Sequence, residues 1–545
     1  MDVKDVKAKD VIKFMKYFLG KNKKEAIILT INSIIMWNIV IILPLIYGLY
    51  VDELVDGTTV PIIVKFIILV AGMQMLNLVT DALGRMVSSL FINHKFQFNL
   101  ITETIQKILS SRLYDYKDTN KAALINQFKN DSTSLQHFFG GNVHSFFTDA
   151  VGLIVALIII FSSDILLGVL ISLLLPIYCL IYFGFKKKVR TANSEFLEKD
   201  DLYFSKRNES LDKIEFVKRN SVQKEMDERA KSSFDIFFKS ARKLAKLNFF
   251  FKNAGTFVSI ICRLLVMGIG GYRVMTGDLS IGFYTVITIY FSQMMVSLDG
   301  YISFFETYIK VKISVKRFNA IYDSPLEVHG DKILDSIDKI SISSLSMKYS
   351  DGIVFENLNT TFEKGKIYAI CGENGSGKTS LLNCIMGLYT DLTEGDILFD
   401  DTPIKDIDMP HMRRAKISFV EQTPEFLNFT IDEYLAFGID FNEEINSKQQ
   451  QLKDAFNLNK FAGNSNINES GNNFSGGEKQ KLSIVRTLSK QSFIVILDEP
   501  TSALDNDSVK ILADILQKQK DDKITLVVSH DKRILDLCDK HWYVK

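Results

Sequence analysis

The residues most clearly suited to chemistry form one glycine-rich segment, Gly372–Thr379, which reads GENGSGKT. Its spacing, G-x-x-x-x-G-K-[ST], is that of a loop that binds phosphate groups. Glycines allow the backbone N–H groups to turn toward an anion, and the N-terminus of a following helix attracts negative charge. Lys378 is therefore expected to reach the outer phosphates of a nucleoside triphosphate, and the Thr379 hydroxyl to bind Mg²⁺. The nucleotide-contacting residues predicted from this loop are Asn374, Gly375, Ser376, Gly377, Lys378, Thr379 and Ser380.

Two apolar strands are expected to position this chemistry. Ile367–Ile370 runs directly into the loop, and Phe493–Leu497 ends in two acids, Asp498 and Glu499. An acid at the carboxyl end of a strand beside a phosphate loop is the usual second ligand of Mg²⁺, and the next acid can activate water. Asp498 is thus predicted to bind the metal and Glu499 to act as the general base.

Further motifs accompany these strands in a fixed order. They are Tyr349 upstream of the loop, Gln422 after the apolar strand Ile417–Val420, the segment FSGGE at Phe474–Glu478, SALD at Ser502–Asp505, and Ser529-His530. The whole series, within residues 340–545, resembles the nucleotide-binding domain of ABC transporters. The resemblance implies an α/β ATPase domain that binds ATP and Mg²⁺.

The resemblance also implies roles for individual residues. Tyr349 would be the aromatic ring on which adenine stacks, and Gln422 a loop glutamine that senses Mg²⁺. His530 would be the catalytic histidine beside the γ-phosphate. Ser475 and Gly477 belong to the signature segment, which in this family closes onto the ATP of the opposite subunit.

The signature segment departs from the family pattern Leu-Ser-Gly-Gly-Gln at two positions, which are Phe474 and Glu478. The Ser-Gly-Gly core that contacts phosphate is kept. Activity is therefore expected.

The first half of the chain carries long apolar segments. Ala26–Val51, Ile165–Phe185 and Leu279–Leu298 contain no charged residue, and about 20 residues of this kind span a bilayer. Segments 60–80, 140–161 and 251–272 are apolar too, although they contain or adjoin Lys65, Asp81, Asp149 and Arg263. The sequence predicts an all-α domain of six transmembrane helices.

Loop charges predict the orientation of this domain. The candidate outer loops Asp52–Thr59 and Ser162–Asp164 contain no Lys or Arg, and the third, Tyr272–Ile281, has only Arg273. In contrast, Lys186–Arg190 reads KKKVR. Positive charge favours the cytoplasmic side, so the N-terminus and the ATPase domain are predicted to be cytoplasmic. The inner connections, Asn93–Ser134 and Lys186–Lys246, have helical periodicity and predict long cytoplasmic arms. Their turns are placed near Asn120–Asp131 and Arg207–Glu215, as in the exporter class of ABC transporters, which the layout resembles.

The predicted domain order follows from these segments. Residues 1–25 form an N-terminal cytoplasmic segment, in which Asp10–Leu19 is an amphipathic helix at the membrane surface or an ordinary solvated helix start. Residues 26–312 form the membrane domain, 313–339 a linker and 340–545 the ATPase domain. The net charge of +1 gives no reason to expect nucleic-acid binding. The five cysteines lack metal spacing and predict no disulfide framework.

Four polar residues within the apolar segments are candidates for a transport cavity. Ionisable groups at membrane depth are costly and tend to face a bundle interior or a watery cavity. This applies to Arg263 and Asp149, which could pair with each other, and Gln293 and Asp299 could line the same cavity. A structural ion pair that locks two helices together is the alternative.

The sequence as a whole predicts a half-size, ATP-driven exporter in a bacterial plasma membrane, in contact with lipid. The resemblance implies that two chains are needed, because phosphate loop and signature cannot meet within one domain of this family. A homodimer is favoured over a heterodimer, because unequal pairs in this family commonly have one degraded site and neither Glu499 nor the signature is badly degraded here. The transported substrate is predicted to be a peptide, with a lipid or a drug as the alternative. A membrane-anchored ATPase that regulates and transports nothing is the competing hypothesis.

Overall fold

The computed structural model describes residues 7–21, 23–116, 121–349, 352–373, 375–461, 463–468 and 473–544. The chain divides into two compact units. The first consists of Met1–Leu109 and Thr119–Asp323, and the second of Ser110–Asp118 and Ser324–Lys545.

The first unit consists of helices joined by short connections over its described residues. Its helices are α1 (Ala8–Lys21), α2 (Lys23–Val55), α3 (Val60–Val87), α4 (Gln97–Leu109), α5 (Lys121–His137), α6 (Val143–Ser163), α7 (Ile165–Asp212), α8 (Ile214–Asn220), α9 (Gln223–Met275) and α10 (Ile281–Tyr322). Two π-helical segments, Ser88–Phe96 and Phe138–Asn142, join α3 to α4 and α5 to α6 without breaking the helical path.

Five continuous helical stretches are long and apolar enough to cross a membrane, judged by length and composition over the described residues. These are Lys23–Val55, Val60–Leu109, Leu124–Ser163, Gln223–Met275 and Ile281–Tyr322. Helix α7 begins with the charge-free stretch Ile165–Phe185, the fourth of the six predicted spans. That it crosses the membrane stays a prediction.

The interior of the helical unit lies among α6, α7, α9 and α10. Ile160, Ile171, Cys262 and Tyr290 are buried there, one on each helix. The Tyr290 hydroxyl donates a hydrogen bond to the Ile41 carbonyl oxygen of α2. This bond adds α2 to the same bundle.

Helices α2 and α10 approach each other closely through two glycines. A side-chain carbon placed at Gly282 would lie 2.1 Å from the Gly48 carbonyl oxygen, and one placed at Gly48 would lie 2.3 Å from a Val286 methyl carbon. Small residues allow helices in a membrane to approach until their backbones touch. Larger side chains would force these two helices apart.

Hydrogen bonds join the three short loops predicted to be outside. Arg273 donates to Asp164 at 2.7 Å, and Arg273 also pairs with Asp278 at 3.1 Å. Asp52 accepts from the Ser280 hydroxyl at 2.8 Å and from the Gly282 backbone N–H at 2.6 Å. These contacts place the loops at the same end of the bundle, as the alternating direction of its helices requires.

The N-terminal helix differs from the surface helix that the sequence predicts. Val11 and Phe14 of α1 are buried, and the Phe14 ring lies 6.3 Å from Phe139 and 6.1 Å from Phe318. Its apolar face packs on other helices of the unit because aromatic side chains there offer a surface to cover it. The side chains of Phe18 and Leu19 lie outside the described residues.

The inner connections are helical arms, but two predicted boundaries are wrong. The first arm is interrupted at Ser110–Tyr116, before the predicted turn at 120–131, and α5 runs through most of that predicted range. Helix α10 continues to Tyr322, so it includes the first ten residues of the predicted linker. Buried Val315 and Phe318 hold that charged stretch in the helix, which composition alone does not show. The second arm bends at Lys213, within the predicted Arg207–Glu215 turn, and again at Ser221.

The strands described in the second unit form two sheets. Its strands are β1 (Lys339–Tyr349), β2 (Gly352–Glu363), β3 (Lys366–Cys371), β4 (Thr393–Phe399), β5 (Thr402–Pro403), β6 (Ile417–Val420), β7 (Ile494–Asp498), β8 (Ile524–Val528) and β9 (Lys540–Tyr543). A parallel sheet has the order β6-β7-β8-β3-β9, and an antiparallel sheet has the order β2-β1-β4-β5. The helices are α11 (Lys378–Ile385), α12 (Met409–Ala415), α13 (Ile431–Ala436), α14 (Glu443–Ala455), α15 (Gly476–Leu488), α16 (Asn506–Lys518) and α17 (Lys532–Leu535).

The parallel sheet explains where chemistry can occur. Every residue of β7 and β8 is buried, which matches their uninterrupted apolar sequences. Parallel strands present their carboxyl ends at one edge, and ligands bind at that edge in open α/β sheets. The ends of β3, β7 and β8 therefore bring the phosphate loop, the two acids and Ser529-His530 together.

Candidate active site

The phosphate loop lies between β3 and α11. Gly375 and Gly377 have φ angles of +83° and +90°, which a residue with a side chain rarely adopts. The Lys378 ammonium donates to the Gly372 carbonyl at 2.8 Å and to the Glu373 carbonyl at 2.9 Å. These bonds hold the lysine across the loop, at the N-terminus of α11. The predicted contact Asn374 lies outside the described residues.

An oxygen pair suited to a divalent cation lies beside the loop. The Thr379 hydroxyl donates to an Asp498 carboxylate oxygen at 2.9 Å. Burial raises the pKa of Asp498 above its ordinary value, while the Thr379 hydrogen bond and the charge of Lys378 oppose that rise. The Ser376 hydroxyl is buried without a hydrogen-bond partner among the described residues, so a polar ligand is needed to satisfy it. Hydroxyl and carboxylate oxygens are the ligands that Mg²⁺ prefers, and the donor set fits it.

Glu499 follows Asp498 in a constrained backbone conformation. Its φ is +48°, in the left-handed region, and its N–H donates to the Val528 carbonyl of β8 at 2.8 Å. A His530 ring nitrogen lies 3.5 Å from the Glu499 carboxylate, whose side chain is 17% exposed. Burial raises the pKa of the Glu499 carboxyl, and His530 works against that rise. A half-desolvated carboxylate of this kind can accept a proton from water.

Three tyrosines pack together near the phosphate loop, of which Tyr349 and Tyr114 are open to the site and Tyr389 is buried. The Tyr349 hydroxyl lies 3.4 Å from the Ser380 hydroxyl. The Tyr114 ring stacks on Tyr349, with centroids 5.2 Å apart and planes 5° from parallel, and Tyr389 meets Tyr349 edge-on at 6.2 Å. Sequence reasoning missed Tyr114, which is distant in sequence from the ATPase motifs. Its only signal was an aromatic residue in a polar turn.

The segment that carries Tyr114 is held in place by contacts with other residues of the second unit. Arg112 pairs with Asp391 at 2.6 Å, and the Ser110 carbonyl accepts from the Glu327 N–H at 3.1 Å. The Tyr116 hydroxyl lies 3.2 Å from the Ser324 hydroxyl. These contacts hold the Tyr114 ring beside Tyr349.

We expect Tyr114→Ala to weaken ATP binding by about 2- to 10-fold, because an aromatic pair contributes about 0.5–1.5 kcal/mol. Affinity for inorganic tripolyphosphate should not change, since no base is involved, and Tyr114→Phe should behave as the parent. Equilibrium titration with both ligands tests this. Tighter ATP binding by Tyr114→Ala would instead show that Tyr114 covers the face of Tyr349 that the base uses.

A cleft of about 660 Å³ brings most of the predicted residues together. Those lining it are Tyr349, Gly375, Gly377, Lys378, Thr379, Ser380, Gln422, Asp498, Glu499 and His530, joined by Tyr114. Ser475 and Gly477 lie at the start of α15 and are not among the described residues that line the cleft. The signature is thus separate from the phosphate loop of its own chain.

The four cavity candidates are not all brought together. Asp149 of α6 accepts from the Ser297 hydroxyl of α10 at 3.4 Å, and Gln293 donates to the Val40 carbonyl of α2 at 3.4 Å. Arg263 is exposed and forms no ion pair within the described part of the chain, and Asp299 is exposed as well. The suggested Arg263–Asp149 pair is therefore wrong in this structure. The reason is that Arg263 lies beside Cys262, which is the residue that faces the interior.

Comparison with known families gives two matches along the chain. The family model described as ABC transporter transmembrane region matches residues 26–298, and the model described as ABC transporter matches residues 355–502. Together they cover the helical segments and the phosphate loop with both acids.

Individual relatives agree with these matches. The chain is 28% identical, over 67% of its length, to a lactococcin-G-processing and transport ATP-binding protein of Lactococcus lactis subsp. lactis. The match covers 53% of that relative, so the chain spans about half of its length. The chain is 25% identical, over 91% of its length and 86% of the relative's, to a candidate multidrug export ATP-binding/permease protein of Staphylococcus aureus (strain NCTC 8325 / PS 47).

A solved structure shares the fold. It is a bacterial Atm1-family ABC exporter with ATP bound, and it superposes with a TM-score of 0.85 at 18% identity. The alignment covers 96% of this chain and 93% of that one. The predicted fold class, a helical membrane domain with an α/β ATPase domain, is confirmed.

Proposed function

The chain belongs to the ABC transporter family, and we propose that it is a half-size exporter that uses ATP to move a substrate out of the cytoplasm. The observation that carries this proposal is the combination of two features in one chain. One is a cleft with phosphate loop, metal-binding oxygens and a buried glutamate, and the other is a set of helices able to cross a membrane. The protein is a multi-pass membrane protein and an ATPase coupled to transport.

The cleft residues divide the work of ATP hydrolysis among them. Lys378 and the N–H groups of the loop bind the outer phosphates, and Tyr349 stacks on the base. Thr379 and Asp498 would hold Mg²⁺, with Gln422 in the same cleft, and the ion would supply positive charge to the phosphate oxygens. Glu499 accepts a proton from the attacking water, and His530 stands beside Glu499 at the γ-phosphate end. The 3.5 Å distance between these two side chains supports that assignment.

A second copy of the chain completes the site. Ser475 and Gly477 do not line the cleft of their own unit, yet signature and phosphate loop must meet around ATP. Two copies related by a two-fold axis would place each signature on the other copy's ATP. Closure follows from the greater affinity of the paired state for ATP, and hydrolysis reverses it. Native mass spectrometry of the purified chain should show a dimer, and a requirement for a different second chain would exclude the homodimer.

The orientation of the chain follows the loop charges, with the N-terminus and ATPase unit in the cytoplasm. The protein would lie in the plasma membrane of a bacterium. The three loops joined by Asp52, Asp164 and Arg273 would then face the outside of the cell. Accessibility of a cysteine introduced at Asp56 to an impermeant thiol reagent tests this. Labelling only after permeabilisation would reverse the orientation.

The substrate is proposed to be a peptide, on the basis of the lactococcin-G relative's name and the exporter fold. A lipid or a drug is the alternative, which the multidrug relative's name favours. The chain is reconstituted into liposomes with its ATPase units outward, and ATP-dependent accumulation of labelled peptide, lipid and drug probes is measured. Accumulation of any one supports export and identifies its class. ATP hydrolysis without movement of all three would favour the regulatory ATPase.

The polar residues of the helical unit are proposed to adjoin the transport path. Asp149→Asn should change substrate-stimulated ATPase activity by several-fold, because a charge in a cavity contacts cargo, and should leave basal activity intact. Exchanging Asp149 and Arg263 should not restore the parent behaviour, because Asp149 contacts Ser297 of α10. Basal and stimulated activities of the reconstituted variants test this. Loss of folded protein in Asp149→Ala and in Arg263→Ala, repaired by the exchange, would instead indicate a structural ion pair.

A further inference from the structure

The signature segment of this chain contains an acid that bonds to its own serine. One Glu478 carboxylate oxygen accepts from the Ser475 N–H at 2.9 Å and from the Ser475 hydroxyl at 2.8 Å. The Ser475 hydroxyl in turn accepts from the Glu478 N–H at 3.3 Å. This capping box fixes the start of α15.

The same acid is paired with a cation from a neighbouring loop. The Lys460 ammonium lies 2.5 Å from the second carboxylate oxygen of Glu478. This bond and the Ser475 N–H lower the pKa of Glu478 to about 2, so the side chain is an anion at neutral pH. An unpaired anion at a helix N-terminus would occupy the position where the helix dipole attracts phosphate.

The residue next to Lys460 contacts the other unusual signature position. The Phe461 ring meets the buried Phe474 ring edge-on at 5.1 Å, and the Lys460 ammonium lies 4.7 Å above the Phe461 ring. One dipeptide, Lys460-Phe461, therefore contacts both residues that depart from the family pattern.

We propose that Lys460 is a positioning residue for ATP hydrolysis, which neutralises Glu478 so that Ser475 and the N-terminus of α15 can bind the γ-phosphate of the second copy's ATP. Phe461 holds the loop against Phe474 and so fixes the lysine in place. This inference rests on the proposed homodimer, because only there does the signature meet a nucleotide.

A charge-based cycle distinguishes this role from simple helix capping. Lys460→Met leaves the Glu478 charge unpaired and should lower kcat about tenfold, whereas Lys460→Arg keeps the charge and should stay close to the parent. Glu478→Gln carries no charge to be neutralised, so it should also stay near the parent. The double variant Lys460→Met/Glu478→Gln should recover to within about threefold of the parent, because neither charge remains.

The experiment measures steady-state ATPase activity, ATP affinity and thermal unfolding of the purified dimer. The unfolding temperature should change little among the variants, because exposed ion pairs contribute little. Any loss of ATP affinity in the dimer should follow the same charge pattern as kcat, since Ser475 and the N-terminus of α15 contact the same nucleotide. Lys510→Met makes the same substitution in another ion pair of this unit, the more exposed one with Asp507, and serves as the control. Full activity of Lys460→Met, or a failure of Glu478→Gln to restore it, overturns the inference. An inactive parent dimer overturns the proposed function and this inference with it.

Discussion

Glu499→Gln is expected to bind ATP with the parent's affinity and to hydrolyse it at least about 100-fold more slowly, since general-base catalysis contributes about 10²–10⁴-fold. Glutamine keeps the shape of the side chain and its contact with the cleft, but it cannot accept a proton. Because closure needs ATP and opening needs hydrolysis, the variant should also remain in the closed dimer. Phosphate release, equilibrium ATP binding and cross-linking of the dimer measure these three effects.

The pH dependence of the parent gives a second measure of Glu499. Burial raises the pKa of this carboxyl, and a base works only when deprotonated, so turnover should fall as pH decreases through that raised pKa. The residual turnover of Glu499→Gln should lack this decrease. Glu356→Gln, which makes the same change at an exposed position of β2, should keep both turnover and the pH profile. Near-normal turnover of Glu499→Gln would exclude this residue as the base.

Lys378→Ala is expected to weaken ATP binding by about 10- to 100-fold, since hydrogen bonds to charged groups contribute about 1.5–3 kcal/mol. The variant loses the positive charge at the outer phosphates and also the two bonds that cross the phosphate loop. Hydrolysis at low ATP should fall in proportion, whereas Glu499→Gln should keep its affinity. Equilibrium titration with ATP separates the two variants.

The control for this prediction is Lys366→Ala, which removes an exposed lysine of β3 that pairs with Glu363. Its ATP affinity should equal that of the parent, because exposed ion pairs contribute little. If Lys378→Ala bound ATP as tightly as this control, then the phosphate contact would have to come from the backbone alone.

The active site was predictable because its signals are local. The predicted strand Ile417–Val420 coincides with β6, and the predicted loop lies between β3 and α11 as expected. A buried strand, a glycine-rich turn and the start of a helix can each be recognised from a few consecutive residues. Parallel pairing then brings the ends of β3, β7 and β8 to one edge without further information.

The contacts that sequence reasoning missed are between distant segments. Nothing local to Tyr114 indicates that it stacks on Tyr349, and nothing local to Lys460 indicates Glu478. The helical unit shows the same limit, because apolar periodicity does not fix which side of a uniformly apolar helix meets which neighbour. Arg263 and Asp149 were paired on depth alone, and in the structure Arg263 is exposed while its neighbour Cys262 is buried.

The two glycines at the crossing of α2 and α10 have a mechanical consequence. Backbones in contact at Gly48 and Gly282, and tied there by Asp52, cannot slide or separate without breaking the hydrogen bonds to Ser280 and Gly282. Helix α10 is therefore expected to pivot about this crossing, which lies at its N-terminal end. From Gly282 to Tyr322 the helix extends roughly 60 Å at about 1.5 Å per residue. A tilt of about 5° at this crossing would move the far end by roughly 5 Å over that length, so a small change of angle produces a large displacement.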